Sequence, residues 1–93
     1  MPTVTDAKNF LRVSHDDDDA LIQTLLDASR AELAGYIGAE LAEPLPADLH
    51  LAILEQTARA YDHRGEQDAK PGLTPAAARI AARYKPVSAG TAL

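Results

Sequence analysis

Apolar positions recur at helical spacing in four stretches of the chain, each bounded by capping or turn-forming residues. Ala7, Phe10 and Leu11 predict a short first helix over residues 4–12, and Thr3 with Asp6 has capping-box spacing, although Glu or Gln is the usual partner. Val13, Ser14 and His15 form a joint. Asp16, Asp17, Asp18 and Asp19 follow directly before a long apolar-periodic segment. Carboxylates there face the partial positive charge of a helix N-terminus, a contribution of roughly 0.3 to 1 kcal/mol each when exposed and less when four crowd together. In the helix predicted over 17–37, Leu21, Ile22, Leu25, Leu26, Ala28, Leu33, Tyr36 and Ile37 project onto one half, and Asp19, Gln23, Asp27 and Arg30 onto the other. Gly38 suits the left-handed position past its end. Glu32 breaks the partition by projecting between Leu21 and Leu25, where a charge needs a partner or an edge position.

A linker over residues 39–45 leads into Pro44-Leu45-Pro46, and a third helix is predicted over 46–64 because proline suits a first turn. Its apolar arc is wide, with Leu49, Ile53 and Ala60 at one edge, Leu54 and Tyr61 in the middle, and Leu51 and Ala58 at the other, so it needs neighbours on two sides. Glu55, Arg59, Asp62 and His63 form its polar strip, with Glu55 and Arg59 in the favourable i, i+4 order. Residues 65–73 read as an exposed loop. Thr74 as cap and Pro75 in the first turn open a fourth helix over 74–85, through Ala76, Ala77, Ala78, Ile80, Ala81 and Tyr84, which Pro86 closes. Residues 87–93 are expected to form a mobile arm that orders on a partner. The organisation expected is a single helical domain, 1–86, followed by that arm.

Composition agrees with an all-α bundle of about four helices: alanine supplies 19 of 93 residues, and β-branched residues are few. A chain of this length closes one modest core. Its net charge of -5 argues against a free nucleic-acid-binding module, whose affinity comes largely from Lys and Arg on phosphates. The fourth helix carries Arg79, Arg83 and Lys85 with no acidic residue between 74 and 86, a footprint too small for a nucleic-acid patch and better suited to a solvated or protein-facing strip. No membrane-spanning or export segment is expected.

Catalytic chemistry has little to stand on. The aspartate run lacks the spaced ligands, glycine and closing glutamate of a calcium loop. His15, His50 and His63 fall on three different elements without zinc-ligand spacing, and there is no cysteine. Neither Ser14 nor Ser29 has an identifiable base beside it, and phosphate- and dinucleotide-binding glycine motifs are missing. No cofactor or metal is expected. Tyr36, Tyr61 and Tyr84 each stand near a helix end, where the ring packs on the core edge and the hydroxyl reaches water or backbone, the alternative being packing across a subunit boundary.

Taken in order, these pieces resemble the helical head-tail connector, or adaptor, proteins of long-tailed double-stranded DNA phages. The resemblance rests on Thr5-Asp6-Ala7-Lys8-Asn9-Phe10-Leu11-Arg12-Val13, on Asp16-Asp17-Asp18-Asp19-Ala20-Leu21-Ile22 leading to Ala28-Ser29-Arg30-Ala31-Glu32 and Tyr36-Ile37-Gly38, and on Leu45-Pro46 opening a helix that ends Ala60-Tyr61-Asp62-His63-Arg64-Gly65-Glu66. Ala82-Arg83-Tyr84-Lys85-Pro86 looks like the family's closing helix, although that helix more often carries bulky leucines and a Tyr-Arg ending. The resemblance implies a structural subunit, not an enzyme. It would form a ring, twelve-fold in the particle, beneath the portal protein, dock the next neck or tail protein, and continue a channel through which DNA passes without sequence-specific binding. Its place would be the neck of a virion or of a gene-transfer-agent particle, after a stage in the host cytoplasm.

Unlike charges on opposite flanks suit a head-to-tail ring. Asp17, Asp18 or Glu32 of one subunit is therefore expected near Arg79 or Arg83 of the next, and Lys85, Pro86, Val87 and Leu93 belong to the arm expected to dock on the portal. The alternative reading is a stand-alone helical interaction module, regulator-like or antitoxin-like, that clasps one partner.

Overall fold

Helix α1 (Val4–Leu11) starts on the expected capping box: Thr3 Oγ1 accepts the Asp6 N–H at 3.1 Å and Asp6 Oδ2 accepts the Thr3 N–H at 2.9 Å. It ends at Arg12, whose φ of 62° is left-handed, while the Val13 N–H returns to the Lys8 carbonyl at 2.9 Å. The computed structural model describes residues 1–64 and 72–85, and three further helices follow in it: α2 (Asp19–Ile37), α3 (Ala47–Asp62) and α4 (Pro75–Ala82).

The boundaries lie within a turn of the predicted ones, with physical reasons for each shift. Helix α2 begins at Asp19 and not at Asp17, because the aspartate run first makes a turn, Asp19 N–H to Asp16 carbonyl at 3.3 Å. Asp18 occupies the cap position without bonding the helix through its side chain. Gly38 closes α2 in the left-handed region at φ 84°, as its position suggested. Thr74 caps α4 by accepting the Ala77 N–H at 3.0 Å. Regular α-helix stops at Ala82, and the N–H groups of Arg83, Tyr84 and Lys85 bond carbonyls three residues back, tightening the end. The loop expected at 65–73 lies outside the described residues except for Gly72 and Leu73, and so does the arm with Pro86, Val87 and Leu93.

Helix α3 is the centre, packed against α1, α2 and α4. The core runs along α2 as Ile22, Leu26, Leu33 and Ile37 and along α3 as Leu49, Ala52, Ile53, Leu54 and Tyr61. Burying each large aliphatic side chain contributes about 1.5 to 3 kcal/mol before the entropy of ordering it. The short helices attach through alanines: Ala7 of α1 and Ala77 and Ala81 of α4 are completely buried, and so small a side chain lets helix axes approach closely. Five apolar positions depart from the expected pattern, since Phe10, Ala28, Tyr36, Leu51 and Tyr84 are exposed. The stripe on α2 passes instead through Ser29.

Ser29 belongs to a polar part of the core absent from the sequence reading. Its Oγ accepts a hydrogen bond from Thr57 Oγ1 at 3.1 Å, and both residues are buried. Next to Thr57, the Gln56 amide binds three segments: Nε2 donates to Glu32 Oε1 (2.9 Å) on α2 and to the Gly72 carbonyl (3.1 Å), and Oε1 accepts the Thr74 N–H (2.9 Å) at the start of α4.

Two stability predictions follow from these positions. Gln56→Leu leaves the buried Thr74 N–H without its partner, while the Gly72 carbonyl keeps Arg59 Nη1 at 3.5 Å, and should cost about 1 to 3 kcal/mol; unfolding in urea measures it. Arg12→Gly removes a left-handed penalty of about 1 to 2 kcal/mol against an entropic cost of about 0.5 to 1 kcal/mol, so the variant should be more stable by a few tenths to about 1 kcal/mol.

Candidate docking faces

At both ends of α3 a carboxylate at one helix start is clasped by a tyrosine and an arginine from another helix end. Asp18, before α2, accepts the Tyr61 hydroxyl, and Arg64 stacks its guanidinium 4.1 Å from the Tyr61 ring centre with Nη2 at 4.0 Å from Asp18 Oδ2. Asp48, in the first turn of α3, accepts the Tyr84 hydroxyl at 2.5 Å and Arg83 Nη1 at 3.3 Å. The negative charge also suits each helix N-terminus. The tyrosine hydroxyls therefore reach carboxylates of other elements, not the water or backbone expected of them. Both phenols are pushed above their ordinary value, first because the neutral form donates to the carboxylate, and the Asp48 carboxyl is held below its ordinary value, first by that same Tyr84 bond. Tyr36 instead carries the Lys85 ammonium 4.7 Å above its ring.

The aspartate run is likewise a tether more than a cap. Lys8 of α1 places its ammonium 2.5 Å from Asp16 and 2.9 Å from Asp19, and the pairing raises the lysine and lowers Asp16. In the linker, Glu43 bridges the Met1 amino group at 2.7 Å and the Arg30 guanidinium, which also donates to the Leu41 carbonyl. The Glu43 carboxyl is lowered by these two cations. Lys8, Asp48, Gln56 and Glu43 were not singled out as contact residues by sequence reasoning, because their partners stand eight or more positions away and no period links them.

These contacts sort the charges proposed as interface groups. Glu32, Asp18 and Arg83 each have a partner in their own chain, Gln56, Tyr61 with Arg64, and Asp48 respectively. Asp17 is left almost entirely in solvent, 92% exposed at its side chain, with His15 Nδ1 at 3.9 Å. Arg79, on the outer side of α4, is exposed and held by no hydrogen bond or ion pair among the described residues. Phe10 and Leu51 add exposed apolar surface, at 40% and 42%. A groove of about 390 Å³ opens between the linker and the ends of α2 and α4, lined by Ile37, Leu41, Pro44, Pro46, Leu49 and Tyr84 among others.

Among the described residues no group of three or more His, Asp or Glu side chains is placed to hold a metal ion, and no helix is long and apolar enough to cross a membrane. Ser29, considered as a nucleophile, is sealed in the core against Thr57. What the surface offers is a helical bundle with charged flanks and exposed apolar side chains. A family model described as phage gp6-like head-tail connector protein matches residues 1–74, and the chain belongs to that family. Its role is that of a phage connector, a structural one. No curated protein and no solved structure matches it. The match ends at Thr74, the residue before α4.

Four of the paired carboxylates make stability depend on acid. Asp6, Asp16, Glu43 and Asp48 all have folded-state values below their ordinary 3.8 or 4.5, so their contribution is complete above those values and is lost as pH falls through the lowered ones. The melting temperature should hold steady near neutrality and drop from about pH 5 downward. Asp48→Asn should flatten that drop and, in a spectrophotometric titration, return one tyrosine toward about 10.

Proposed function

We propose that this chain is a subunit of a neck ring that sits under the portal of a phage or gene-transfer-agent particle, extends the DNA channel and docks the next neck or tail protein. The family match over α1, α2 and α3 carries the reading. The twelve-fold count rests on the resemblance to such adaptors.

The distribution of unengaged charge supports a head-to-tail contact between copies. Asp17 stands in solvent before α2 with only the His15 ring 3.9 Å away, and Arg79 is exposed on α4. Both are exposed, so a pair formed between them is screened in solution and is strengthened only when assembly excludes water. Asp18, Glu32 and Arg83 join such a contact only by sharing or exchanging the partners they already have. We therefore assign Asp17 and Arg79 as the leading pair. A net acidic subunit also suits a channel wall along which DNA slides without being held.

Particles assembled without this protein should be heads, filled or leaking DNA, with no attached tails; normal tailed particles in its absence would end the proposal. Asp17→Lys or Arg79→Glu should each lower the yield of tailed particles, and the double exchange should restore it in part. Equal yields in all three variants would remove this pair from the interface. Deleting residues 86–93 should leave the fold intact and abolish docking onto a portal preparation.

A further inference from the structure

Among the described residues, Arg12 and Arg79 are the arginines with no hydrogen bond or ion pair from the side chain, whereas Arg30, Arg64 and Arg83 are held by Glu43, Asp18 and Asp48. Arg12 also stands where arginine serves the fold poorly. Its φ of 62° is left-handed, a conformation that glycine adopts at less cost, and its side chain is exposed. Lys8, not Arg12, takes up Asp16 and Asp19. The backbone favours another residue and the bundle makes no use of the guanidinium, so its use lies outside its own chain.

A guanidinium recognises an anion. A DNA backbone is disfavoured at this corner, because Asp16 and Asp17, with side chains 87% and 92% exposed, would meet the same line of phosphates. An open groove of about 400 Å³ on the far half of α2 offers carboxylates instead. Ala31, Ala34 and Leu41 line it together with Asp27 and Glu40, and its one cation, Arg30, is already bound to Glu43 and the Leu41 carbonyl. Asp27 accepts Gln23 Nε2 at 3.1 Å, and Glu40 is exposed with no partner among the described residues. Carboxylates over a floor of small apolar groups are the complement of an arginine, whose methylene stem packs while its head pairs. Other acids are less open to it: Glu55 has Arg59 one turn on, and Asp62 is followed by His63 and Arg64.

Arg12 precedes α2 and Glu40 follows it, roughly 28 Å apart along the helix, so the groove is beyond reach of its own chain's Arg12. Complementary patches toward the two ends of one helix make a head-to-tail contact between copies. We propose that Arg12 of one copy seats in the Asp27–Glu40 groove of the next, its guanidinium between the two carboxylates. The inference rests on the ring reading and adds a specific contact to it. Arg12 and Asp17 belong to the same corner, so this contact and the Asp17–Arg79 pair leave the subunit together.

Arg12→Gly separates fold from contact. It should raise the melting temperature of the isolated chain, as predicted above, and lower the number of copies per particle by about tenfold or more. An unchanged copy number overturns the proposal, and so does a normal copy number with DNA leaking from the head, which puts the guanidinium on phosphate. Arg12→Glu should likewise lower the copy number and Glu40→Arg added to it should restore part; no restoration overturns the pairing. The chain has no cysteine, so Arg12→Cys with Glu40→Cys allows a second test in assembled particles. A short bismaleimide, which spans the gap that two long side chains leave and a disulfide does not, should give a ladder of covalent multimers, and Arg12→Cys with Asp62→Cys should not. No ladder, or an equal one in the control, from particles holding several copies overturns the contact and leaves the ring standing. Wild-type particles holding one copy or none overturn both.

Discussion

The position of α4 depends on the Gln56 amide. A bundle of this size has little apolar area with which to hold an eight-residue helix whose buried contribution is Ala77, Ile80 and Ala81. Gln56 meets that shortage by reaching α2 through Glu32, the preceding turn through Gly72 and the first turn of α4 through the Thr74 N–H. The bond to the Thr74 N–H is buried, so its loss is not readily replaced by water, and it fixes one arrangement of α4 as well as adding stability. Thr74 then caps α4 with its own side chain, so one buried amide and one hydroxyl define where the last helix begins.

The two tyrosine clasps follow the same logic at the bundle's ends. Each takes a carboxylate that would otherwise face solvent and ties it to another helix through a phenol and a guanidinium. They draw Asp18, Asp48, Arg64 and Arg83 into the fold. Asp17 and Arg79 remain outside these networks, which is why they, more than the other charges of the acidic and basic flanks, are suited to contacts between copies.

Helix periodicity and cap chemistry are local properties, and they were legible: the Thr3–Asp6 box, Gly38, and the Thr74-Pro75 opening lie where the sequence put them. The aspartate run was read as a charged helix start, yet its side chains serve Lys8 and Tyr61, partners that only the tertiary fold brings near. Ser29, Gln56 and Thr57 were invisible as core residues because polarity counts against burial in any pattern of apolar positions, while their hydrogen bonds make burial tolerable. Glu32 was the informative exception. Its place inside the apolar half demanded a partner or an edge, and it has both, an exposed position and the Gln56 amide. That Asp18, Glu32 and Arg83, named from the sequence as interface candidates, already have partners within the chain was not legible, since pairing is decided across the fold.

Family membership and the contacts across the bundle together describe a phage connector whose matched region spans α1 to α3, with α4 beyond the end of the match. The most direct measurement is a cryo-electron microscopy reconstruction of the neck of the particle that carries this protein. The account predicts a ring of four-helix densities between the portal and the first tail component, with the start of α2 in each copy facing α4 of its neighbour. A neck in which the portal meets the tail with no such density, or a ring built from a different polypeptide, would contradict it.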